Sequence, residues 1–97
     1  MKLIFAGTSE FAAVALESLL AAGFDIALVL TQPDRPAGRG LRPRRSAVKE
    51  FACAHGLPLA QPENLQEPAI QEELRNTGAA AMVVAAYGLL LPAAVLA

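Results

Sequence analysis

The chain has 97 residues, of which 55% are apolar, and its eight Lys and Arg against nine Asp and Glu give a formal net charge of −1. This length suits one small domain, and the apolar fraction excludes a chain that is disordered throughout. Because the net charge is close to zero, any attraction for a polyanion must come from a local cluster of positive charge.

The first part of the chain is typical of a strand, a helix and a second strand. Residues 2–6 form a short apolar run, after which Thr8 and Ser9 can supply the N-cap oxygens of a helix. Gly23 ends that helix, since glycine readily adopts the left-handed conformation that follows a helix. Residues 24–30 are apolar and β-branched enough to form the second strand. We therefore predict a right-handed crossover between two parallel strands.

Residues 31–49, which we call the basic arm, interrupt this pattern and concentrate the positive charge. Six cations and the single acid Asp34 give the arm a local charge of 6 − 1 = +5. Its three prolines and two glycines disfavour a helix or a central strand, so we predict a long exposed loop. Arginine suits bidentate contacts with phosphate, which favours nucleic-acid or phosphate binding; a solvated surface loop is the alternative. The six cations are Arg35, Arg39, Arg42, Arg44, Arg45 and Lys49.

Helices and strands alternate again after the arm. We predict a helix over residues 46–55, a short strand over 57–60, a helix over 67–76 and a strand over 79–86. Pro58 restricts the short strand to an edge of the sheet or to a start at that residue. The alternation predicts an α/β fold, an open doubly wound parallel sheet with strand order 3-2-1-4.

The uncharged stretch over residues 78–97 also meets the length of a membrane span. Gly88 and Pro92 interrupt it, and its valines favour a strand, so we prefer a buried strand, a turn and the first turn of a helix. No polar residue closes the chain at its last residue. We therefore expect a single partial domain over residues 1–97, a fragment of a longer chain.

Two further residues invite a chemical role, and we assign a structural role to each. Cys53 is the only cysteine, and its apolar helical surroundings predict a small buried hydrophobe in a reducing cytoplasm rather than a reactive thiol. His55 lies at a helix end, where an imidazolium interacts favourably with the helix dipole. The sequence offers no Ser/His/Asp set, carboxylate pair or metal-ligand cluster.

A ligand crevice is predicted where the strand order reverses, between the first and fourth strands. Residues 7–11 form one wall, a helix N-terminus that favours an anion or a polar group. Residues 86–92 form the other, an irregular turn that suits a flat heteroaromatic ring, although core packing is the alternative for its leucines. The glycine fingerprint GxGxxG is missing and no acid ends the second strand, which disfavours a dinucleotide cofactor.

Four segments carry a resemblance to a known family. They are FAGTSEFAA (5–13), TQPDRPAGRG (31–40), QPENL (61–65) and VVAAYGLLLP (83–92). Together they resemble the bacterial methionyl-tRNA formyltransferases, cytoplasmic enzymes of translation initiation that move a formyl group from 10-formyltetrahydrofolate to the methionine amine on initiator tRNA. The similarity runs in order along the whole chain. Sugar-nucleotide formyltransferases share the fold, but the TQPDRPAGRG segment is absent from them and argues against that reading.

The resemblance implies roles for three sets of residues, with no metal among the ligands. The arm would enter the acceptor-stem region of the tRNA through Arg39, and its other cations, Arg35, Arg42, Arg44, Arg45 and Lys49, would contact phosphates. The pterin of the folate would lie against Ala86, Tyr87, Gly88, Leu89, Leu90 and Leu91. The aminoacyl end of the tRNA would lie against Gly7, Thr8, Ser9 and Phe11.

The sequence also departs from the family pattern. Ser9-Glu10 replaces the commoner Pro-Asp, and residues 44–47 replace a Pro-Ser-Pro run with two arginines, Ser46 and Ala47. The catalytic asparagine and histidine of the family belong to an Asn-x-His-x-Ser motif that does not occur in these 97 residues, and neither does the later aspartate. We therefore predict that the 97-residue chain alone has no transferase activity. A non-catalytic RNA-binding module is the alternative interpretation.

Overall fold

The computed structural model describes residues 2–37, 42–63 and 65–85, and over residues 35–37 and 42–44 it describes the backbone. Along the chain the elements are β1 (Lys2–Gly7), α1 (Glu10–Ala21), β2 (Asp25–Leu30), β3 (Arg35–Ala37), β4 (Arg42–Arg44), α2 (Ala47–Ala54), β5 (Leu59–Ala60), α3 (Pro68–Asn76) and β6 (Ala81–Ala85). The predicted alternation of strands and helices is confirmed.

Within the described residues, four parallel strands form one sheet in the order β5-β2-β1-β6. Numbered among themselves along the chain, they run 3-2-1-4, so the predicted open doubly wound sheet is confirmed. In the centre, Ala6 of β1 lies opposite Leu30 of β2, and Gly7 lies opposite Ala85 of β6. The chain adds strands on one side of β1 and then returns to its other side, which creates the switch point at which such sheets bind ligands.

The side chains of β1 alternate between two cores on opposite faces of the sheet. Helices α1 and α2 contribute to one core and α3 contributes to the other. Each fully buried large apolar side chain contributes about 1.5–3 kcal/mol, so both clusters stabilise the sheet. The first core contains Leu3, Phe5, Ala12, Leu16, Ile26, Val29, Val48 and Ala52. The second contains Ile4, Ala6, Leu28, Leu30, Leu65, Ile70 and Leu74.

Serine side chains begin the first two helices, and glycines follow their ends. Ser9 Oγ accepts a hydrogen bond from the backbone amide of Ala12, and Ser46 Oγ accepts one from the amide of Lys49. Gly23 follows α1 with a φ of 89°, a conformation that side chains other than glycine rarely adopt. These local signals explain why the helix boundaries were predictable.

The basic arm differs from the predicted irregular loop, because β3 and β4 form a short antiparallel hairpin within it. Arg35 pairs with Arg44, and Pro36 lies opposite Pro43. Neither proline has an amide hydrogen, so their pair fits a position without ladder hydrogen bonds. A proline fixes an extended backbone as readily as it breaks a helix. The composition therefore excluded a central strand but not this small isolated hairpin.

Two expectations about burial were wrong. Cys53 is exposed, because the buried positions of α2 are Val48 and Ala52, and Cys53 lies one residue beyond that stripe. The last strand was expected to be buried, yet the side chains of β6 are exposed or only partly covered, and Val84 is 44% exposed. Among the residues described, β6 is an edge strand.

Within residues 2–37, 42–63 and 65–85, no helix has the length and apolar character needed to cross a membrane.

Candidate functional site

The centre of the candidate site is the carboxyl end of β1, where the chain has room for glycine only. A Cβ added at Gly7 would lie 2.6 Å from the Cβ of Ala12, 2.7 Å from the carbonyl oxygen of Ala85 and 2.8 Å from Cε2 of Phe5. All three distances are far shorter than a van der Waals contact between these atoms. The close approach packs the first turn of α1 against β1 and β6 and forms the floor of the switch point.

One wall of the site is the N-terminus of α1. Ser9 caps it with φ −74° and ψ 171°, and its Oγ lies 3.3 Å from the amide nitrogen of Ala12. Glu10 places an exposed acid in the first turn, where a negative charge interacts favourably with the helix dipole. Phe11 is 75% exposed, so an aromatic face stands open at this wall. The wall can therefore offer polar backbone groups and an apolar surface to the same ligand.

Thr8 connects this wall to the basic arm. We expected its hydroxyl to help cap α1, but Thr8 Oγ1 accepts a hydrogen bond from the backbone amide of Gln32 at 3.3 Å. Gln32 lies two residues beyond the end of β2, at the start of the arm. The first residues of the arm and the first residues after β1 thus meet at one edge of the sheet.

A second contact holds the two ends of the arm together. Thr31 is fully buried, and its Oγ1 lies 2.7 Å from Oγ of Ser46, a distance at which either hydroxyl can donate. The backbone amide of Thr31 also donates to the carbonyl oxygen of Ala60, at 3.1 Å. A buried hydroxyl without a partner would cost stability, so this pairing favours one arrangement of the arm's base.

The carboxylate of Asp34 collects donors from two other segments. Lys49 Nζ lies 2.8 Å from Oδ2, and Gln61 Nε2 lies 2.9 Å from Oδ1. Gln61 Nε2 also donates to the carbonyl oxygen of Gln32, at 3.2 Å. The hydrogen bond from Lys49, and after it the one from Gln61, lowers the pKa of Asp34 below its ordinary value, with a smaller contribution from the charge of Arg45. The carboxylate is therefore ionised at neutral pH.

The structure brings some of the predicted site residues together, and others fall outside its description. The predicted aminoacyl-end residues Gly7, Thr8, Ser9 and Phe11 follow one another along the edge between β1 and α1. Arg45 is exposed at the root of the hairpin, whereas Lys49 is paired with Asp34. The side chains of Arg35, Arg42 and Arg44 lie outside the described part of the molecule, as do Arg39, Ala86, Tyr87, Gly88, Leu89, Leu90 and Leu91.

The residues that the sequence did not identify as functional are polar partners distant in the chain. Asp34 had been counted only as a charge, and Gln61 only as part of the QPENL segment. Both follow the carboxyl end of a strand, β2 and β5 respectively, which is a recognisable signal in a parallel sheet. Their pairing itself has no local signature.

His55 has a structural position. Its Nδ1 lies 2.9 Å from the carbonyl oxygen of Phe51, and its ring stacks on that of Phe51 with centroids 4.0 Å apart. It is also the C-cap residue of α2. Across residues 2–37, 42–63 and 65–85, no group of three or more His, Cys, Asp and Glu side chains is placed to hold a metal ion.

An open parallel α/β sheet with a helix N-terminus at its carboxyl edge belongs to the doubly wound class, whose members bind ligands at that edge. A family model described as formyl transferase matches residues 1–97, and the chain belongs to that family. The family assignment agrees with the resemblance that the four sequence segments carry.

Curated relatives and a solved structure extend this comparison. The chain is 62% identical over 96 residues to the methionyl-tRNA formyltransferase of Thiobacillus denitrificans, and 64% identical over 97 residues to that of Chromobacterium violaceum. Each alignment covers 99% of this chain but only 31% and 32% of the relative, so the chain spans about a third of their length. The crystal structure of phosphoribosylglycinamide formyltransferase from Bacillus halodurans matches with a TM-score of 0.65 at 21% identity. That match covers 97% of this chain and 48% of the other, and it shows the shared fold.

Proposed function

We propose that the complete protein containing this chain transfers a formyl group from 10-formyltetrahydrofolate to the amine of methionine on initiator tRNA. The relatives of 62% and 64% identity are named methionyl-tRNA formyltransferases, which supports methionyl-tRNA as the acceptor. The donor is the one that the family resemblance implies. The 97 residues are then the amino-terminal part of the catalytic domain. A charged tRNA as substrate implies a cytoplasmic enzyme, and the proposed reaction assigns no role to a metal ion.

The observation that carries the proposal is the hydrogen bond between the Gln32 amide and Thr8 Oγ1. It joins the root of an arm with a charge of +5 to the wall that we assign to the aminoacyl end. An enzyme that modifies the end of a tRNA needs both features at one edge, since phosphate contacts orient the RNA while a separate pocket receives the reacting amine.

In the proposed reaction the methionine amine attacks the formyl carbon of the donor. A new carbon–nitrogen bond forms, the bond from the formyl carbon to N10 of the folate breaks, the amine loses a proton, and N10 gains one. The described residues would position the reactants: the N-terminus of α1 borders the aminoacyl end, and β6 leads into residues 86–91, which we assign to the pterin. Stabilisation of the oxyanion and proton removal are assigned to the Asn-x-His-x-Ser motif of the family, which these 97 residues do not contain.

The arginines of the basic arm are assigned to the tRNA backbone. Arg45 is exposed where the hairpin returns to α2, so its guanidinium is open to a phosphate. Arg39 is assigned to the acceptor stem, and Arg35, Arg42 and Arg44 to phosphates. The net charge of the whole chain is −1, so it is this local charge, and not the overall charge, that would attract an RNA.

The test is a formylation assay with the purified product of the complete gene and 10-formyltetrahydrofolate. Initiator methionyl-tRNA, free methionine and an amino-sugar nucleotide are offered separately as acceptors. We expect formyl-methionyl-tRNA and no product from the other two. Formylation of the sugar nucleotide in place of the tRNA would overturn the substrate assignment. Binding of tRNA without formylation would favour the non-catalytic RNA-binding module.

The 97-residue chain alone is the matched comparison in that assay. Because it lacks the Asn-x-His-x-Ser motif, we expect no formyl transfer from it under conditions in which the complete protein turns over. Measurable transfer by the isolated chain would mean that the catalytic groups lie within these residues, and the division of roles given above would be wrong.

A further inference from the structure

Three segments of the chain converge on one carboxylate at the base of the basic arm. Asp34 lies in the first part of the arm, Lys49 in the first turn of α2, and Gln61 just beyond β5. Both oxygens of the carboxylate are used, Oδ2 by Lys49 at 2.8 Å and Oδ1 by Gln61 at 2.9 Å. A charge-assisted hydrogen bond on each oxygen favours one geometry of the three segments.

These contacts lie at the base of the hairpin formed by β3 and β4. Asp34 immediately precedes β3, whose first residue Arg35 is paired with Arg44, the last residue of β4. A contact that fixes Asp34 against α2 therefore fixes the direction in which both strands leave the sheet. The Thr31–Ser46 hydroxyl pair closes the same base on its buried side.

The ion pair with Asp34 also neutralises the charge of Lys49. Its side chain is 15% exposed and that of Asp34 is 26% exposed, so the ion pair is partly shielded from water. A phosphate that formed an ion pair with the ammonium of Lys49 would have to displace the carboxylate of Asp34, which fixes the arm. The two roles, phosphate contact and support of the arm, therefore compete for one group.

We propose that Asp34, Lys49 and Gln61 form a clasp that sets the direction of the basic arm, and that Lys49 is a positioning residue rather than a phosphate contact. The RNA part of this inference rests on the proposed function, whereas the clasp itself does not. The role of Lys49 then differs from that of the five arginines of the arm, although all six residues are positively charged.

The substitution Asp34→Asn distinguishes phosphate contact from support of the arm, because the two roles predict opposite changes in the affinity for tRNA. The substitution raises the charge of the arm from +5 to +6. If charge alone governed binding, initiator tRNA would bind more tightly. If the clasp orients the arm, tRNA binds more weakly, by about threefold or more, because the competent orientation is no longer dominant. Glu50→Gln is the matched control, since it adds the same charge at an exposed position of α2 beside Lys49.

A second comparison uses the salt dependence of tRNA binding by the complete protein. Arg45→Met removes an assigned phosphate contact, so the negative slope of log K against log salt falls by about 0.7 to 0.9. Lys49→Met removes the same charge, and we expect weaker binding with an unchanged slope. An equal loss of slope in both variants would make Lys49 a phosphate contact and overturn the inference.

Hydrogen exchange at the arm tests the clasp without any RNA. We expect amide exchange over residues 32–37 and 42–46 to accelerate in Asp34→Asn and in Lys49→Met, and to remain unchanged in Glu50→Gln and Arg45→Met. Unchanged exchange in the first two variants would overturn the clasp. If the unaltered protein failed to bind tRNA while exchange still responded as expected, the proposed function would fall and the clasp would stand.

Discussion

Replacing Gly7 by alanine tests whether the floor of the candidate site is as tightly packed as the structure indicates. The added methyl would meet the Cβ of Ala12 at 2.6 Å, the carbonyl oxygen of Ala85 at 2.7 Å and the ring of Phe5 at 2.8 Å. Ala12 belongs to a helix and the Ala85 oxygen to a strand, so neither can move without moving its element. Phe5 is itself fully buried.

The magnitude follows from these three contacts. Forcing one extra methyl into a close-packed interior costs about 1–3 kcal/mol, and we expect the upper part of that range because backbone must shift. A loss of about 3 kcal/mol changes the folding equilibrium roughly 150-fold. The displaced strand is β6, which leads into the segment assigned to the folate. We therefore also expect a higher KM for 10-formyltetrahydrofolate.

The assay is urea denaturation of the complete protein followed by circular dichroism, together with formylation kinetics. Gly23→Ala is the control: its added methyl meets nothing within 4 Å, but its φ of 89° costs an alanine about 1–2 kcal/mol. Both variants lose stability, and only Gly7→Ala changes the KM of the formyl donor. A Gly7→Ala protein as stable as the unaltered one would refute the packing argument.

Three further predictions follow from the core, the arm and the clasp. Leu16→Ala, at a fully buried position, lowers the free energy of unfolding by about 2–5 kcal/mol in urea titrations, and a loss below about 1 kcal/mol would contradict its place in the core. Arg39→Ala weakens tRNA binding and reduces the log–log salt slope by about 0.7 to 0.9; an unchanged slope counts against its assignment. By carbon NMR, we expect the pKa of Asp34 to lie below the ordinary value of an aspartate and Lys49→Met to raise it, because the hydrogen bond from Lys49 is the largest cause of the depression. Since that pKa is depressed on folding, the contribution of Asp34 to stability is present above its unfolded pKa and disappears as the pH falls through its folded pKa.

The elements of the sheet were predictable because their signals are local. An apolar run, a serine N-cap and a following glycine identified α1 and α2 within one or two residues, and Pro68 marked the start of α3. Pro58 allowed the short strand only at an edge of the sheet or with that residue at its start; among the described strands, β5 begins just after Pro58, at Leu59, and lies at an edge. The strand order was predicted from the alternation of strands and helices, which is typical of a doubly wound sheet.

The support of the arm was not predictable, because it depends on residues far apart in the chain. Asp34 meets Lys49 across 15 positions and Gln61 across 27, and nothing in the local sequence of either partner identifies the other. In the sequence, Asp34 counted only as one negative charge that lowers the net charge of the arm. In the structure, its carboxylate accepts hydrogen bonds from both Lys49 and Gln61 at the base of the arm. The prediction that Cys53 is buried was wrong for a related reason, because an apolar run does not indicate which side of a helix is buried.

The most direct test of the central claim is the steady-state kinetics of a complete protein in which the five arm arginines are replaced by glutamine and Lys49 is retained. The account predicts that the KM for initiator methionyl-tRNA rises by about tenfold or more, because several phosphate contacts are lost, while the KM for 10-formyltetrahydrofolate stays within about twofold. An unchanged KM for methionyl-tRNA would contradict the claim that the arm at the carboxyl edge of this sheet binds the tRNA.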